Sequence, residues 1–229
     1  MDIEELRQKI VSGELKLESS NSVIQTGELL DNEAKSFKYE ISHGWDITLS
    51  SNCDREWGAF YISLFEFIHS RNYSKEELLK ILSGIQMEDK HWDWFKKSYV
   101  YCSDEYEWFY LLSRGKPQGA CIFYHPKESL IDKEDIFYIE YVAVAPWNRE
   151  TPITNREFKG VGTIIIKCAL RYAVNELGLK PGFSLHSLPQ ARDYYEKKIG
   201  MINFPERDKA KLIYLEMPRD KSTEMLGVS

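Results

Sequence analysis

Two glycines one residue apart, Gly160 and Gly162, mark the most informative stretch of this chain. They follow a run of strand-like residues ending at Pro146 and directly precede an amphipathic helical pattern. Glycines at this spacing let a ligand approach the backbone, and the free N–H groups and positive dipole end of the next helix attract an anion. The stretch predicts an anion site, with phosphate as the expected anion.

Two common nucleotide-binding motifs are missing around these glycines. A dinucleotide-binding turn needs a third glycine where this chain has Ile165, and no Gly-x-x-x-x-Gly-Lys-Ser/Thr sequence occurs. The order of elements is also different. A mostly antiparallel strand series precedes the turn, and helix, strand, short helix and terminal strand follow it. The pattern therefore disfavours both of those folds.

Three segments in this order resemble the GNAT superfamily of acetyl-CoA-dependent N-acetyltransferases, over residues 105–217. Val142-Ala143-Val144-Ala145-Pro146 is similar to the family's fourth strand, and Gly160-Val161-Gly162 is similar to its pyrophosphate loop. Residues 191–201 are similar to its fourth helix and helix exit. The resemblance implies an α/β GNAT fold, whose mixed, mostly antiparallel central sheet is splayed between strands 4 and 5 and flanked by helices.

The resemblance also implies acetyl-CoA as the cosubstrate. The pantetheine would pair with the backbone of the family's fourth strand, and the diphosphate would lie on the glycine loop. The implied contacts are Val142, Ala143, Val144, Lys159, Gly160, Val161, Gly162, Thr163 and Ser187. Ser187 is also predicted to cap the helix that contains Pro189 and Ala191.

Two features depart from the family pattern. Glu157 lies where the family loop usually carries Gln or Arg. The chain between Pro146 and Gly160 is also longer than in the compact family form, and residues 147–155 are predicted to be an inserted loop that could line the substrate mouth.

Acetyl transfer to an amine requires a neutral amine, a polarised thioester carbonyl and a proton for the departing thiolate. Tyr195, four residues after Ala191, matches the family tyrosine that returns this proton, and we predict it as the general acid. Tyr194 is the adjacent alternative, and packing is the alternative role for both rings. The helix exit has one residue more than the commonest family form.

Glu140 is the predicted general base. It precedes Val142 by two residues and so shares its face of the strand. A substrate-orienting carboxylate and an edge salt bridge are equally open roles for Glu140, and a water relay could serve as the base instead. Partial burial would have to raise the pKa of this carboxyl for it to act well near neutral pH.

The predicted division of the chain has three parts. Residues 1–36 form an N-terminal extension with a helix over 2–11, residues 37–218 form the acetyltransferase domain, and residues 219–229 form a polar, frayed tail. Within the domain, the alternation over 37–50 predicts two strands or one bent strand. A helix over 55–70 and a second one capped at Ser74 are predicted to form, with the aromatic residues of 91–99, one wall of the acceptor site.

Composition indicates a globular protein, because 43% of its 229 residues are hydrophobic. The net charge of -6 argues against general binding to nucleic acid or anionic lipid. The expected partner is a small-molecule, peptide or protein amine. The four cysteines are too dispersed for a metal site or a disulfide framework and are predicted to be reduced. No apolar signal core or membrane-spanning run occurs, so a cytoplasmic location is expected.

The function predicted from these features is an acyltransferase that acetylates a primary amine by direct attack in a ternary complex. Two alternatives remain open. Glu157 favours a GNAT-fold module that binds acetyl-CoA without turnover. Acetylation of aminoacyl-tRNA, which some GNAT relatives perform, is disfavoured by the acidic balance of the chain.

Overall fold

A computed structural model describes residues 2–15, 17 and 19–227 of the protein. The strands are β1 (Ser22–Leu30), β2 (Ser36–His43), β3 (Tyr106–Ser113), β4 (Lys116–Glu128), β5 (Asp135–Val144), β6 (Phe183–Ser187), β7 (Ile202–Asn203) and β8 (Ile213–Glu216). The α-helices are α1 (Ile3–Val11), α2 (Ile47–Ser70), α3 (Lys75–Gly84), α4 (Trp94–Val100), α5 (Val161–Asn175) and α6 (Arg219–Leu226).

The strands form one mixed sheet in the order β1-β2-β3-β4-β5-β6-β8-β7. β1–β2, β2–β3, β6–β8 and β7–β8 are antiparallel pairs, and β5–β6 is a parallel pair. A parallel pair needs a long crossover connection, and α5 lies in that connection. The predicted α/β fold with a mixed, mostly antiparallel sheet is confirmed.

The parallel register between β5 and β6 is short. It pairs Phe137 with Phe183 and ends at Ile139 and Leu185, whereas β5 continues to Val144. The predicted splay between the family's fourth and fifth strands therefore falls between β5 and β6.

The chain has two compact units. The first contains Met1–Cys102, Trp108–Ala120 and Ala143–Gly162, and the second contains Ser103–Glu107, Cys121–Val142 and Thr163–Ser229.

Side-chain caps begin the helices of the first unit. The Asp2 carboxylate accepts the Glu5 N–H at the start of α1 at 2.8 Å, and Ser74 and Glu77 form the predicted capping box of α3. The helices predicted at 2–11 and after Ser74 are therefore confirmed. Part of the core of this unit lies between α2 and α3, where Leu64, Ile68 and Ile85 are buried together.

One prediction for the first unit was wrong. Residues 47–50 begin α2 and are not a strand, because Asp46 accepts the Leu49 N–H at 2.8 Å and fixes the helix start. β1 lies within residues 1–36, where no strand was predicted, and it pairs with β2. Most of its side chains are exposed, so little hydrophobic alternation marked it as a strand.

The core of the second unit combines α5 with aromatic residues of the sheet. The predicted apolar stripe of α5 is confirmed, since Ile165, Ile166, Ala169, Leu170 and Ala173 are all buried. Ring centroids of Phe123 and Phe137, on β4 and β5, are 4.5 Å apart, and those of Phe137 and Phe183 are 5.5 Å apart. These rings connect three neighbouring strands.

The C-terminal region departs from the sequence prediction in three places. The segment predicted as a frayed tail forms α6, with residues 228–229 outside the described range. β8 is an inner strand, because β7 lies at the edge. The predicted helix with Ala191 is a 3₁₀ turn over Pro189–Ala191, followed by a π-helix over Tyr194–Ile199.

Candidate functional site

The glycine loop lies at the start of α5 and against the end of β5, within the first unit. Gly160 has a φ of +80° and a Cβ there would meet no atom within 4 Å, so the backbone is open on that side. A Cβ on Gly162 would lie 3.5 Å from Val144 Cγ1. Lys159 is exposed and Val161 is buried. Gly160 needs glycine for its backbone conformation, and the loop exposes main chain at the N-terminus of a 15-residue helix.

The end of β5 is fixed from both sides. The Ala145 N–H donates to the Gln118 carbonyl at 2.8 Å, so the Val144 carbonyl points away from β4. On that other side Arg149 donates to the Val144 carbonyl at 2.9 Å. The backbone predicted to pair with pantetheine therefore already has a protein donor at the Val144 oxygen.

Glu157 has a structural partner that the sequence did not reveal. Its carboxylate forms an ion pair with Arg114, from the turn between β3 and β4. The Arg114 guanidinium lies 3.6 Å from the Phe37 ring centroid, and the Glu157 N–H donates to the Trp147 carbonyl at 2.9 Å. Glu157 thus anchors the chain just before the glycine loop.

Tyr195 lies in the π-helix of the second unit. A π-helix accommodates an extra residue relative to an α-helix, which accounts for the one-residue excess seen in the sequence. The Tyr195 side chain is buried and has no hydrogen-bond partner among the described residues. Burial, with smaller effects from Tyr194 and Cys121, raises the pKa of Tyr195, so the phenol keeps its proton at neutral pH.

Tyr194 is placed differently from its neighbour. Its hydroxyl shares a hydrogen bond of 2.7 Å with the Thr163 hydroxyl, in the first turn of α5. The contact fixes the π-helix against α5. It also gives Thr163, predicted as a diphosphate donor, a partner within the protein.

Glu140 lies on the face of β5 that carries Tyr138, and it is half-buried. After burial, the Glu140 charge is the largest cause raising the pKa values of Tyr138 and Tyr106. The Tyr138 hydroxyl is 2.6 Å from His186 Nδ1. Glu140 therefore belongs to a polar cluster of phenols and an imidazole.

The two predicted catalytic residues lie on opposite faces of the sheet in the second unit. Tyr195 interacts with Cys121, which shares its face of β4 with Phe123. The Phe123 ring contacts the Phe137 ring. Phe137 and Glu140 are three residues apart on β5, so their side chains point to opposite faces of the sheet. The structure does not bring Glu140 and Tyr195 together on one face.

Ser187 does not cap a helix. It is the last residue of β6, it is buried, and its hydroxyl donates to the Leu188 carbonyl at 2.8 Å. Leu188 occupies the cap position of the following turn, without a side-chain hydrogen bond. The predicted N-cap is wrong because β6 extends one residue further than expected.

A cavity of about 260 Å³ lies in the first unit, and we call it the tryptophan cavity. Its walls include Trp57, Trp92, Trp94, Asp54 and Arg7, and Val144 and Pro146 at the end of β5 also line it. The aromatic residues predicted as an acceptor wall are thus on the same cavity as the strand end. Arg7 and Asp54 had no motif that marked them in the sequence.

Comparisons with known proteins give structural matches only. No family model and no curated protein matches the chain. Solved structures do match, among them PaiA N-acetyltransferase from Thermoplasma acidophilum with coenzyme A, at 10% identity and a TM-score of 0.45, over 77% of this chain and 98% of that one.

Two further matches have similar values. FdhC, a nucleotide-linked sugar GNAT, matches at 11% identity and a TM-score of 0.48, over 88% of this chain and 94% of that one. An uncharacterised protein from Bacillus halodurans matches at 11% identity and a TM-score of 0.49, over 90% and 96%. At these identities and scores the matches assign no family, activity or ligand to this chain.

The described part of the chain contains no group of three or more His, Cys, Asp or Glu side chains arranged to hold a metal. None of its helices is long and apolar enough to cross a membrane. The four cysteines are free, and Cys121 and Cys168 are buried.

Proposed function

We propose that this protein transfers an acetyl group from acetyl-CoA to a primary amine, by direct attack in a ternary complex. The observation that carries the proposal is the glycine loop. A positive-φ glycine with open space around it begins a long helix, and the loop packs against the end of β5. This arrangement suits a diphosphate, which would accept hydrogen bonds from N–H groups of Lys159 to Thr163. Bound acetyl-CoA would supply the activated acetyl group.

The chain's own residues would hold the cosubstrate and move protons. We assign pantetheine pairing to the backbone of Val142, Ala143 and Val144, where Arg149 already donates to the Val144 carbonyl. Tyr195 is assigned as the proton donor to the leaving thiolate, which its protonated, partner-free hydroxyl supports. Ser187 is retained as a coenzyme contact through its position at the end of β6.

The non-catalytic alternative loses its main support. It rested on Glu157 replacing the Gln or Arg of the family pattern, and the ion pair with Arg114 gives Glu157 a structural role that is independent of turnover.

The decisive experiment is a screen of amine classes with coenzyme A release as the readout. Small alkyl and aryl amines, peptides with free N-termini and lysine-rich proteins are each supplied with acetyl-CoA. We expect release to exceed the amine-free blank for at least one class. Tight acetyl-CoA binding without release for any class would instead identify a binding module.

A separate prediction concerns Glu140 as the base, which would take the proton of the amine from the face of the sheet opposite to Tyr195. Glu140→Gln should lower kcat at saturating amine by about tenfold near pH 6, because an ammonium substrate then needs help to lose its proton. The deficit should shrink toward pH 9 as the free amine becomes abundant. Steady-state kinetics from about pH 6 to 9 measure this.

The matched control is Glu134→Gln, which removes an exposed carboxylate just before β5. It should leave kcat unchanged at every pH. A Glu140→Gln enzyme with wild-type kcat throughout, and only a raised KM, would show that Glu140 orients the amine and that a water relay or another residue is the base.

A further inference from the structure

The tryptophan cavity combines aromatic walls with a cluster of charges. Trp57 and Trp94 are in edge-to-face contact at 5.6 Å between ring centroids, and Trp92 and Trp94 are in the same arrangement at 6.2 Å. Trp57 and Trp94 are buried. Tyr61 also lines the cavity, and its hydroxyl has no hydrogen-bond partner in the described chain. Aromatic faces of this kind attract both apolar groups and cations.

One guanidinium in this cavity serves two carboxylates. Arg7, from α1, donates to both oxygens of Asp93 at 2.6 and 2.7 Å and lies 3.7 Å from Asp54. Asp54 accepts the N–H groups of Trp94 and Phe95 at 2.8 and 2.9 Å. Arg7 also lies 3.6 Å from the exposed Glu4 carboxylate, so the carboxylates around this one guanidinium outnumber it when they are ionised. Burial is the main cause that raises the pKa of Asp54 to about 6.

The other charges on the cavity wall do not cancel this excess. Asp89 is matched by Arg149, which pairs with both of its oxygens. The Lys90 ammonium lies 5.2 Å from the ring centroid of Phe65, which is not part of the cavity lining. His91 is exposed. The Lys97 ammonium lies 5.5 Å from the Trp92 ring centroid, so Trp92 already has a cation near it. The excess of carboxylates over guanidinium is at Asp54 and Asp93, beside Trp57 and Trp94.

We propose that the tryptophan cavity binds the acceptor as a small cationic amine with an apolar body, the ammonium facing Asp54 and the body lying against the tryptophan rings. This rests on the proposed function, because it names the acceptor class for the same reaction. A cation would supply the second positive charge that the two carboxylates lack. Val144 and Pro146 on the same wall place the cavity beside the strand end assigned to pantetheine.

The test uses three probes of one shape that differ in head-group charge. Phenethylamine, 2-phenylethanol and phenylacetate are titrated into the full-length protein at neutral pH without acetyl-CoA, with tryptophan fluorescence as the readout. We expect phenethylamine to bind about tenfold or more tightly than the alcohol, and phenylacetate to bind most weakly. Equal binding of the amine and the alcohol would overturn the proposal.

Two variants are expected to change phenethylamine affinity in opposite directions, which a general structural effect would not do. Asp54→Asn should weaken phenethylamine binding about tenfold, whereas Arg7→Gln should strengthen it by a similar factor, because it leaves a larger negative charge. Lys9→Gln is the matched control for Arg7→Gln, since Lys9 is also on α1 and pairs with Glu5 and Glu14. It should change nothing. Weaker amine binding in folded Arg7→Gln would contradict the proposal.

This outcome is separable from that of the proposed function. Acetyl-CoA binding is measured in parallel by calorimetry. If acetyl-CoA binds and no cation prefers the cavity, only the acceptor assignment is wrong. If phenethylamine binds with the expected preference and acetyl-CoA does not bind, the acetyltransferase proposal fails, and with it the acceptor role of the cavity.

Discussion

Tyr195→Phe should lower kcat by roughly 10²-fold and leave acetyl-CoA affinity nearly unchanged. The substitution keeps the buried ring and removes only the hydroxyl, so the packing of the ring near Cys121 is preserved. Burial raises the pKa of Tyr195, so the phenol is protonated throughout the neutral range, as it would be at its ordinary pKa, and the shift does not by itself favour proton donation. Steady-state kinetics with an active amine and calorimetry with acetyl-CoA separate the two effects.

Tyr194→Phe is the matched control. It removes the neighbouring hydroxyl together with its 2.7 Å hydrogen bond to Thr163. We expect a modest loss of stability, about 1 kcal/mol, with most of the turnover retained. If Tyr194→Phe abolished turnover and Tyr195→Phe did not, the proton donor would be Tyr194, one residue from the position assigned.

Gly160→Val should weaken acetyl-CoA binding by a few kcal/mol, which is about 10²-fold in Kd. A side chain there would fill space that the diphosphate needs, since no atom of the described residues lies within 4 Å of its Cβ position. The φ of +80° means that valine is also strained, so stability falls whether or not a ligand binds.

A control for this backbone strain is the glycine that follows the other end of the same helix. Gly178 follows α5 with a φ of +68° and equally open surroundings. Gly178→Val should lower the melting temperature to a similar degree and leave acetyl-CoA affinity intact. Equal affinities for the folded Gly160 and Gly178 variants in calorimetry would remove the loop from the binding role.

The parts of the fold that were predictable from sequence depend on local patterns. The capping box at Ser74 and the apolar stripe of α5 are each defined by residues a few positions apart, and both predictions are confirmed. β1 was missed because its stability comes from pairing with β2 and not from a buried face of its own. The strand pattern over residues 37–50 is broken at Asp46, because the Asp46 carboxylate caps the start of α2.

In the candidate site, too, features made by neighbouring residues were predictable, and features made by distant residues were not. Gly160 could be found because its neighbours in sequence are also its neighbours in the loop. Arg114 and Glu157 are 43 residues apart, and Arg7 and Asp93 are 86 apart. Such pairs are made by tertiary packing alone, so neither the anchor before the loop nor the charge cluster of the cavity was visible in the sequence.

Arg149 has a consequence for how the tryptophan cavity meets its ligand. Its guanidinium, largely buried, joins the Val144 carbonyl to the Gln86 carbonyl and the Asp89 carboxylate, so the strand end and the segment after α3 are held by a single side chain. Moving one wall away from the other would break all of these hydrogen bonds at once and leave a buried cation without partners. The cavity is therefore pre-organised. Ligand binding should incur little conformational entropy loss, and selection among amines should follow shape and charge more than adaptation of the protein.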